Sequence, residues 1–436
     1  MKILFVYPRF RKYLSDLPED TREALKPIIG QFTTPPSLGI PILAALTPPE
    51  HEIEVIDDNR GDPLDFDTDA DLVAINCFTP QATRALELAD GFRAAGKSVV
   101  IGGIFPSMMP EEAAAHADSV NVGEGEPTWL TILDDHSRGE LEPRYRGGQR
   151  FDLARLPLPR REALYEKAGY DWHASLVQVA RGCGFGCAMC VIPEHFGSRV
   201  RFRPVERIVE EIEDQPYDQI YIADDTIFLE SRRAQAWARE LLEALVPLKK
   251  RLFVSSTLAL NTDPDFLELL ARAGTQTFYC TLNVDPISMR ALRGGEPDAE
   301  QQVIDLAARI RDLGMEFFAS FGIGRDWDDE GVGDRILELS RRAGIRTAEF
   351  FIFCPFPGTP QFRRMQSQDR LLHTTWELYN GANVVFRPQQ MSVERLTEIY
   401  QEVWRGLYKD QIEDAILKKL GKDGTESPHP DAGKPL

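Results

Sequence analysis

The sequence predicts an α/β protein made of two parallel-sheet units in tandem: a doubly wound, Rossmann-like sheet followed by a second unit of six strand–helix repeats. Three observations predict it. Residues 1 to about 140 alternate short β-rich runs with helix-length segments joined by short loops, the pattern of a parallel sheet covered by helices on both faces. The alternation resumes at Leu176, after a stretch whose periodicity is broken by Pro143, Gly147-Gly148, Pro157 and Pro159. At 436 residues the chain exceeds what one ordinary core fills.

In the first unit the predicted strands are 3–7, 52–56, 72–75, 98–101 and 119–122, and the predicted helices are 39–46, 81–95, 111–117 and 127–135. Ligands of such sheets bind at the carboxyl ends of the strands. The loops there are 8–10, 77–80, 102–106 and 123–126. A glycine pair such as Gly102-Gly103 lets a flat ligand approach the backbone, and equally makes an ordinary turn. No G-x-G-x-x-G opens the first helix, so a dinucleotide site is not expected.

The run LARLPLPRREAL reads as a linker, giving units at 1–145 and 176–370, a linker at 146–175 and a C-terminal extension at 371–436. The second unit has predicted strands 176–180, 219–223, 252–256, 277–282, 317–321 and 348–353, with helices such as 205–213, 231–245 and 299–313. In the first of these helices Val205, Ile208, Val209 and Ile212 form an apolar stripe, against a solvated face of Glu206, Glu210, Glu211 and Glu213. The extension is mostly helical, with Trp376, Tyr379, Phe386, Trp404 and Tyr408 as aromatic mass. Residues 421–436 are polar and rich in glycine and proline, and are expected to be disordered.

Chemistry concentrates in VQVARGCGFGCAMCVIPEHF, residues 177–196, where Cys183, Cys187 and Cys190 stand at C-x3-C-x2-C among Gly182, Gly184 and Gly186. Three thiolates at this spacing, in a loop that glycines let turn tightly, reach three corners of one iron–sulfur cube and leave one iron without a protein ligand. Zinc is the rival; it needs a fourth N/S ligand, and His195 is the nearby candidate. Three buried structural thiols are the plain alternative. The other cysteines, Cys77, Cys280 and Cys354, sit in apolar runs as core thiols, a usage that suits a reducing cytoplasm.

A net charge of −19 with no dense basic run argues against nucleic acid or anionic membrane as a partner. MKILFVYPRF has no signal-peptide pattern and reads as a first strand, and nowhere do 18 consecutive apolar residues suggest a membrane span. A cytoplasmic protein is expected.

The cysteine spacing resembles the signature of the radical S-adenosylmethionine (radical SAM) enzymes. The segments PSLGIPILAALTPPEHEIEVIDD, DLVAINCFTPQATRALELADGFRAAGKSVVIGGIFPSMMPEEA and NVGEGEP resemble the cobalamin-binding domain found N-terminal to many of them. The resemblance implies that the second unit is an open six-stranded (β/α)6 partial barrel. It also implies a [4Fe-4S] cluster on Cys183, Cys187 and Cys190, with SAM chelating the open iron and reductive cleavage yielding methionine and a 5′-deoxyadenosyl radical. The electron donor would be a flavodoxin or ferredoxin, and the substrate a small molecule.

The resemblance also assigns residues. IADDTIFL, FGIGRDWDDE and CPFPGTP look like the family's strand-end motifs, so Met189, Asp224, Asp225, Ser256, Asn283, Gly322, Gly324 and Pro355 are expected at SAM, with one of Asp224 and Asp225 able to cap the next helix instead. For cobalamin the candidates are Tyr7, Pro8, Cys77, Phe78, Thr79, Gly102, Gly103, Phe105, Pro106, Gly123, Glu124 and Glu126. Met189 replaces a usual aromatic, Thr281-Leu282-Asn283 a usual Gly-Ile-Glu, and Phe105 a frequent histidine. Asp134, His136 and Gly139 match D-x-H-x-x-G, but after the glycine pair and so in the wrong order; they are read as a chance match, with His136 on the surface. Tyr170, Trp172, Trp327 and Phe356 are placed between pocket and core.

Two resemblances in this order imply a cobalamin-dependent radical SAM enzyme, a methyltransferase acting on an unactivated carbon. The alternatives are a radical rearrangement, oxidation or cyclisation without methyl transfer and, from another class, a non-catalytic iron–sulfur sensor.

Overall fold

The computed structural model describes residues 1–29, 37–148, 151–164, 174–222, 224, 231–258, 263–282, 286–294 and 297–419. Tyr170, Trp172, Asp225, Asn283 and the expected disordered end 421–436 lie outside them. Two six-stranded parallel sheets form the molecule. The first contains β1 Lys2–Tyr7, β2 Glu52–Asp57, β3 Leu72–Asn76, β4 Ser98–Gly102, β5 Ser119–Gly123 and β6 Arg144–Gly148, in the order β2-β1-β3-β4-β5-β6. Its strand order reverses at β1, so a crevice opens at the carboxyl ends of β1 and β3. Near-continuous apolar runs are what such a sheet needs, and Ile3, Leu4, Phe5 and Val6 are all 1% exposed or less.

β6 is a strand that periodicity does not reveal, because Gly147-Gly148 reads as a break. Gly147 is there for close approach, since a Cβ would lie 1.7 Å from the Glu124 carbonyl, and Gly148 for its backbone, at φ 67°; Gly148 pairs with Gly123, and the Glu124 amide donates to the Gly148 carbonyl at 3.2 Å.

A short edge strand, β7 Ala174–Val177, opens the second unit, and β8 Ala180–Arg181 pairs antiparallel with β9 Arg201–Phe202. The sheet continues through β10 Gln219–Ile222, β11 Arg251–Ser256, β12 Thr275–Thr281, β13 Glu316–Ile323 and β14 Thr347–Ile352, in sequential order from β7 to β14. This is the partial barrel. The single strand expected at 176–180 is thus two. The Asp224 carboxylate accepts the amides of Val179 and Ala180, both at 2.9 Å, and turns the chain out of the sheet between them.

Alternation along each strand sorts the barrel faces. Val254, Phe278, Cys280, Phe317, Phe321 and Phe350 join the helix-side core, leaving Tyr221, Phe253, Tyr279, Phe318 and Glu349 on the inner face. Cys77, Cys280 and Cys354 are buried, as expected. The helix Val205–Glu213 buries Val205, Ile208 and Ile212, but also Glu211, which belongs to no solvated face. Glu211 ion-pairs with Arg203 at 2.6 Å and with Arg161 of the linker, tying linker to barrel.

The C-terminal extension is core rather than pocket. Trp376, Tyr379, Phe386, Trp404 and Tyr408 are each at most 4% exposed. Trp404 packs edge-on against Phe350 of β14 at 5.1 Å, and the Tyr408 hydroxyl donates to the Ala348 carbonyl at 2.7 Å. Trp376 reaches the first unit, where its ring lies 5.4 Å from Phe105 and its indole N–H donates to Glu112 at 2.7 Å. Phe356 packs half-buried against the core, and Trp327 is 39% exposed beneath Arg293. No helix among the described residues is long and apolar enough to cross a membrane.

Because Trp376 joins the two units, Trp376→Ala is expected to cost about 3–5 kcal/mol in urea unfolding through its cavity and the stranded Glu112 carboxylate. A loss below about 1 kcal/mol would show the contact to be peripheral.

Candidate functional site

The cysteine loop leaves the barrel directly after β8. Gly182, at φ 91°, begins it, and a Cβ there would lie 2.7 Å from the Arg199 carbonyl, so only glycine fits. The loop is pinned at its base by the Cys183 amide on the Gly197 carbonyl at 3.3 Å, and inside by the Cys190 amide on the Cys187 carbonyl at 3.0 Å. The Ile192 amide donates to Cys190 Sγ at 3.4 Å, a bond that stabilises a thiolate ligand. No disulfide joins the three thiols; Cys183 is buried, while Cys187 and Cys190 are half-exposed. Burial raises the Cys187 pKa, and the Arg325 cation opposes that shift.

No group of three or more His, Cys, Asp or Glu side chains among the described residues converges as a single-ion site. Thiols that share a four-iron cube each bind a different iron and need not converge on one point. The donor set is thus three sulfur ligands on one glycine-hinged loop, with the Ile192 amide turned toward the Cys190 sulfur, and it fits a cluster.

At the strand ends the expected SAM residues divide. Met189 stands half-buried in the loop, whose Ala188 carbonyl takes the Gln361 amide at 2.9 Å; this ties the loop to the segment after β14 that contains buried Pro355. Asp224 is 9% exposed and acts as the backbone clamp described above, so it is not a helix cap. Ser256 shares a register position with Cys280 on the helix side at 0% exposure, and Ser255 takes the inner face. The space over Gly322 is filled by the rings of Phe351 and Phe353, and the Gly324 amide donates to Asp328 at 2.9 Å. Sequence reasoning missed Arg325, whose guanidinium lies 4.4 Å from the Phe353 ring centroid. Burial lowers its pKa to about 10, which leaves it cationic and acting on Cys187 at neutral pH.

A cavity of about 320 Å³ opens where the two units meet. One wall is the carboxyl end of the first sheet, with Asn76, Phe78, Gly102, Gly103 and Gly123. The other is the barrel's Gln178, Arg181, Gly182, Ile192, His195 and Asp224. From there it runs into the apolar core between the sheet and the helices Gly39–Leu46 and Trp129–Arg138, past Phe5, Ala74, Val100 and Trp129. An apolar slot behind a glycine pair, with the amide side chains of Asn76, Asn121 and Gln178 in its lining, suits an aromatic group surrounded by amides, the chemistry of cobalamin's aromatic tail and amide-fringed ring.

Phe78, Gly102, Gly103, Gly123, Glu124 and Glu126 line this cavity; the other expected cobalamin residues do not. Tyr7, Cys77, Thr79, Phe105 and Pro106 are buried in the core, with Cys77 held by its amide on the Gly102 carbonyl and Phe105 beneath Trp376. Pro8 is buried too, and its carbonyl accepts from Gln81 at 2.6 Å. Gly103 is required by its own chain: at φ 111°, a Cβ would lie 2.7 Å from the Cys77 carbonyl. Gly139 caps the helix Trp129–Arg138 at φ 71° and His136 sits in its last turn, so D-x-H-x-x-G here is helix-end chemistry.

Glu124 and Glu126 are first of all ion-pair partners across the interface. Arg181 lies 2.5 Å from Glu126 and 3.7 Å from Glu124, and Arg201 also binds Glu124. All four side chains are at most 17% exposed. Burial alone would lower Arg181, but the glutamates hold it above its ordinary range; burial would raise Glu126, and Arg181 holds it below. His195, 5% exposed, has no partner at Nδ1, and burial beside Arg181 depresses its pKa to about 4, so it is neutral at pH 7. The sequence signal for this lock was the pairing of GEGE with RGC, but opposite charges 55 residues apart are legible as partners only once the units are docked.

Comparison with known proteins agrees with both halves. Residues 177–338 match the profile of the radical SAM superfamily, and residues 33–133 that of the B12 binding domain. The chain is 29% identical over 372 residues to the bacteriochlorophyllide d C-8(2)-methyltransferase of Chlorobaculum tepidum, covering 80% of each. It is 26% identical over 393 residues to the hopanoid C-2 methylase of Rhodopseudomonas palustris, covering 85% of this chain and 71% of that one. Its fold is similar to that of the radical SAM methyltransferase TsrM from Kitasatospora setae with cobalamin and a [4Fe-4S] cluster bound (TM-score 0.62, 18% identity, 84% and 78% covered). It is also similar to OxsB with aqua-cobalamin and SAM bound (TM-score 0.64, 15% identity, 98% and 69% covered).

Two outcomes test the interface. Glu126→Gln leaves a buried arginine short of charge and is expected to cost about 3–5 kcal/mol in urea unfolding, with the double variant Glu126→Gln, Arg181→Met recovering part of it; simple additivity would contradict the pairing. A histidine depressed from 6.5 to about 4 binds protons more readily when unfolded, so its stabilisation is complete above pH 6.5 and is lost as pH falls toward 4. Replacing His195 with glutamine should flatten the decline in stability between pH 6.5 and 4.5, by up to about 1.4 kcal/mol per unit. Equal slopes in the two proteins would contradict a buried neutral His195.

Proposed function

We propose, for a chain that belongs to the radical SAM superfamily and carries a B12-binding domain ahead of that core, that it is a cobalamin-dependent methyltransferase acting on an unactivated carbon of a small molecule. One observation carries the reading. Gly182, the hinge of the cysteine loop, and Gly102-Gly103, the glycine pair of the first sheet, line the same interdomain cavity. Two cofactor regions that open into one space suit a reaction in which a radical is made on one side and a methyl group delivered from the other.

Cys183, Cys187 and Cys190 would hold the [4Fe-4S] cluster, and Met189, the end of β13 at Gly322 and Gly324, and the segment at Pro355 would face SAM. Asp225 and Asn283 belong to the same proposal. The apolar slot would take cobalamin, with Phe78, Gly102 and Gly123 at its rim. When bound, these groups supply one-electron cleavage of SAM and a carrier for the methyl group.

The chain's own part is positioning. Asp224 fixes the backbone that leads into the cysteine loop, Arg181 and the two glutamates set its distance from the first sheet, and the packed interface limits water. The required electron would come from a flavodoxin- or ferredoxin-type donor, in a cytoplasmic setting.

Replacing Cys183, Cys187 and Cys190 by alanine is expected to abolish iron–sulfur absorbance and the formation of 5′-deoxyadenosine from SAM under anaerobic reduction. A full four-iron complement in that variant would sink the assignment. Ala74→Phe, which puts a ring into the apolar slot, should cut corrin retained through gel filtration at least tenfold with little change in melting temperature. Wild-type protein that makes 5′-deoxyadenosine but binds no corrin would point to a radical reaction without methyl transfer.

A further inference from the structure

The inner face of the barrel holds a group of side chains that neither cofactor region uses. Tyr221, Phe253, Tyr279 and Phe318 follow one another across β10 to β13, with ring centroids 4.8, 5.7 and 5.3 Å apart. Phe253 and Tyr279 are half-exposed, while Tyr221 and Phe318 are buried at 2% each, so Phe253 and Tyr279 are the part of this group that a ligand can reach. Against them stands the Glu349 carboxylate of β14, also half-buried. The Tyr279 hydroxyl donates to Glu349 Oε1, and Ser320 Oγ donates to the same oxygen at 3.1 Å. Oε2 accepts no hydrogen bond from the described residues and is not sealed within protein.

A carboxylate orients this way at a cost. Burial raises its pKa, and two donors on one oxygen only partly oppose the shift. What completes such an arrangement is a cation or a strong donor on the second oxygen. Aromatic faces beside it add quadrupole attraction for the same charge, about 0.5–2 kcal/mol per well-placed ring. A net charge of −19 draws cations to the molecule as a whole.

We propose that Glu349 Oε2 and the rings of Phe253 and Tyr279 form the recognition site for a protonated nitrogen on an otherwise apolar substrate. The assignment rests on the methyltransferase reading for its meaning, because the substrate's reactive carbon must then lie toward the strand ends, above this anchor. Glu349 is in that sense a specificity-determining residue, and a neutral analogue of the same shape leaves its carboxylate without a partner.

The test uses two probes of equal size, phenethylammonium and 2-phenylethanol, titrated by NMR into the wild-type holoprotein. Phenethylammonium is expected to bind at least tenfold tighter, a preference that Glu349→Gln removes and Tyr279→Phe weakens several-fold. Equal affinity of the two probes for the wild type, or an unchanged preference in a folded Glu349→Gln protein, overturns the proposal. Should Glu349→Gln fail to fold, the wild-type preference and its reduction in Tyr279→Phe decide the matter. Formation of 5′-deoxyadenosine by the same wild-type preparation is scored separately. Its absence overturns the enzymatic reading and leaves an amine preference standing; its presence without that preference overturns the lumen assignment alone.

Discussion

Four charges, three of them buried and the fourth, Arg201, 17% exposed, hold this molecule in the one arrangement in which its site exists. Arg181 and Arg201 of the barrel unit meet Glu124 and Glu126 of the first sheet at an interface where little water remains. A charge taken from water without a partner costs several kcal/mol, so neither set is comfortable unless the units are docked in register. Arg181 lies two residues before Cys183, and Glu124 directly follows β5. The ion pairs therefore fix the distance between the cysteine loop and the glycine-lined end of the first sheet. A hydrophobic interface of equal area would hold the units together without specifying that distance.

Other contacts reinforce the same geometry from outside. Asp224 spends its carboxylate on two backbone amides, which ends β7 and sends the chain into β8 and the cysteine loop. The segment after β14 supports that loop through the Gln361 amide. The C-terminal extension then spans both units, with Trp376 against Phe105 and Trp404 against Phe350. The aromatic groups of the C-terminal extension are here core, because a large ring contributes most when it is fully surrounded.

The molecule thus separates its tasks by face. The apolar slot and the cysteine loop share one interdomain space, while the inner wall of the barrel presents aromatic rings and the Glu349 carboxylate. Helix-side residues of the same strands carry only packing. Ser255 and Ser256 show how sharp the division is: neighbours in sequence, they face the lumen and the helical core respectively.

What the sequence determined by itself was whatever is encoded locally. Strand–helix alternation gave both parallel sheets, since period and turn chemistry act over a few residues, and the C-x3-C-x2-C spacing gave the cluster loop, since three ligands on one hinge need no distant partner. Most expected strands fall within two residues of the observed ones; β6 was hidden because its glycine pair reads as a break, whereas Gly147 serves a close approach to Glu124 and Gly148 a left-handed backbone within the strand. Tertiary structure alone decided which strand-end residues face the cavity. It put Phe78 and Gly102 there and sent Cys77, Thr79 and Phe105 into the core, although all lie in the same loops. It also made Glu124, Glu126 and Glu211 into buried ion-pair partners, and it aimed Glu349 into the lumen. The physical reason is the same in each case: a side chain's role depends on what the opposite wall offers it, and that wall comes from residues tens to hundreds of positions away.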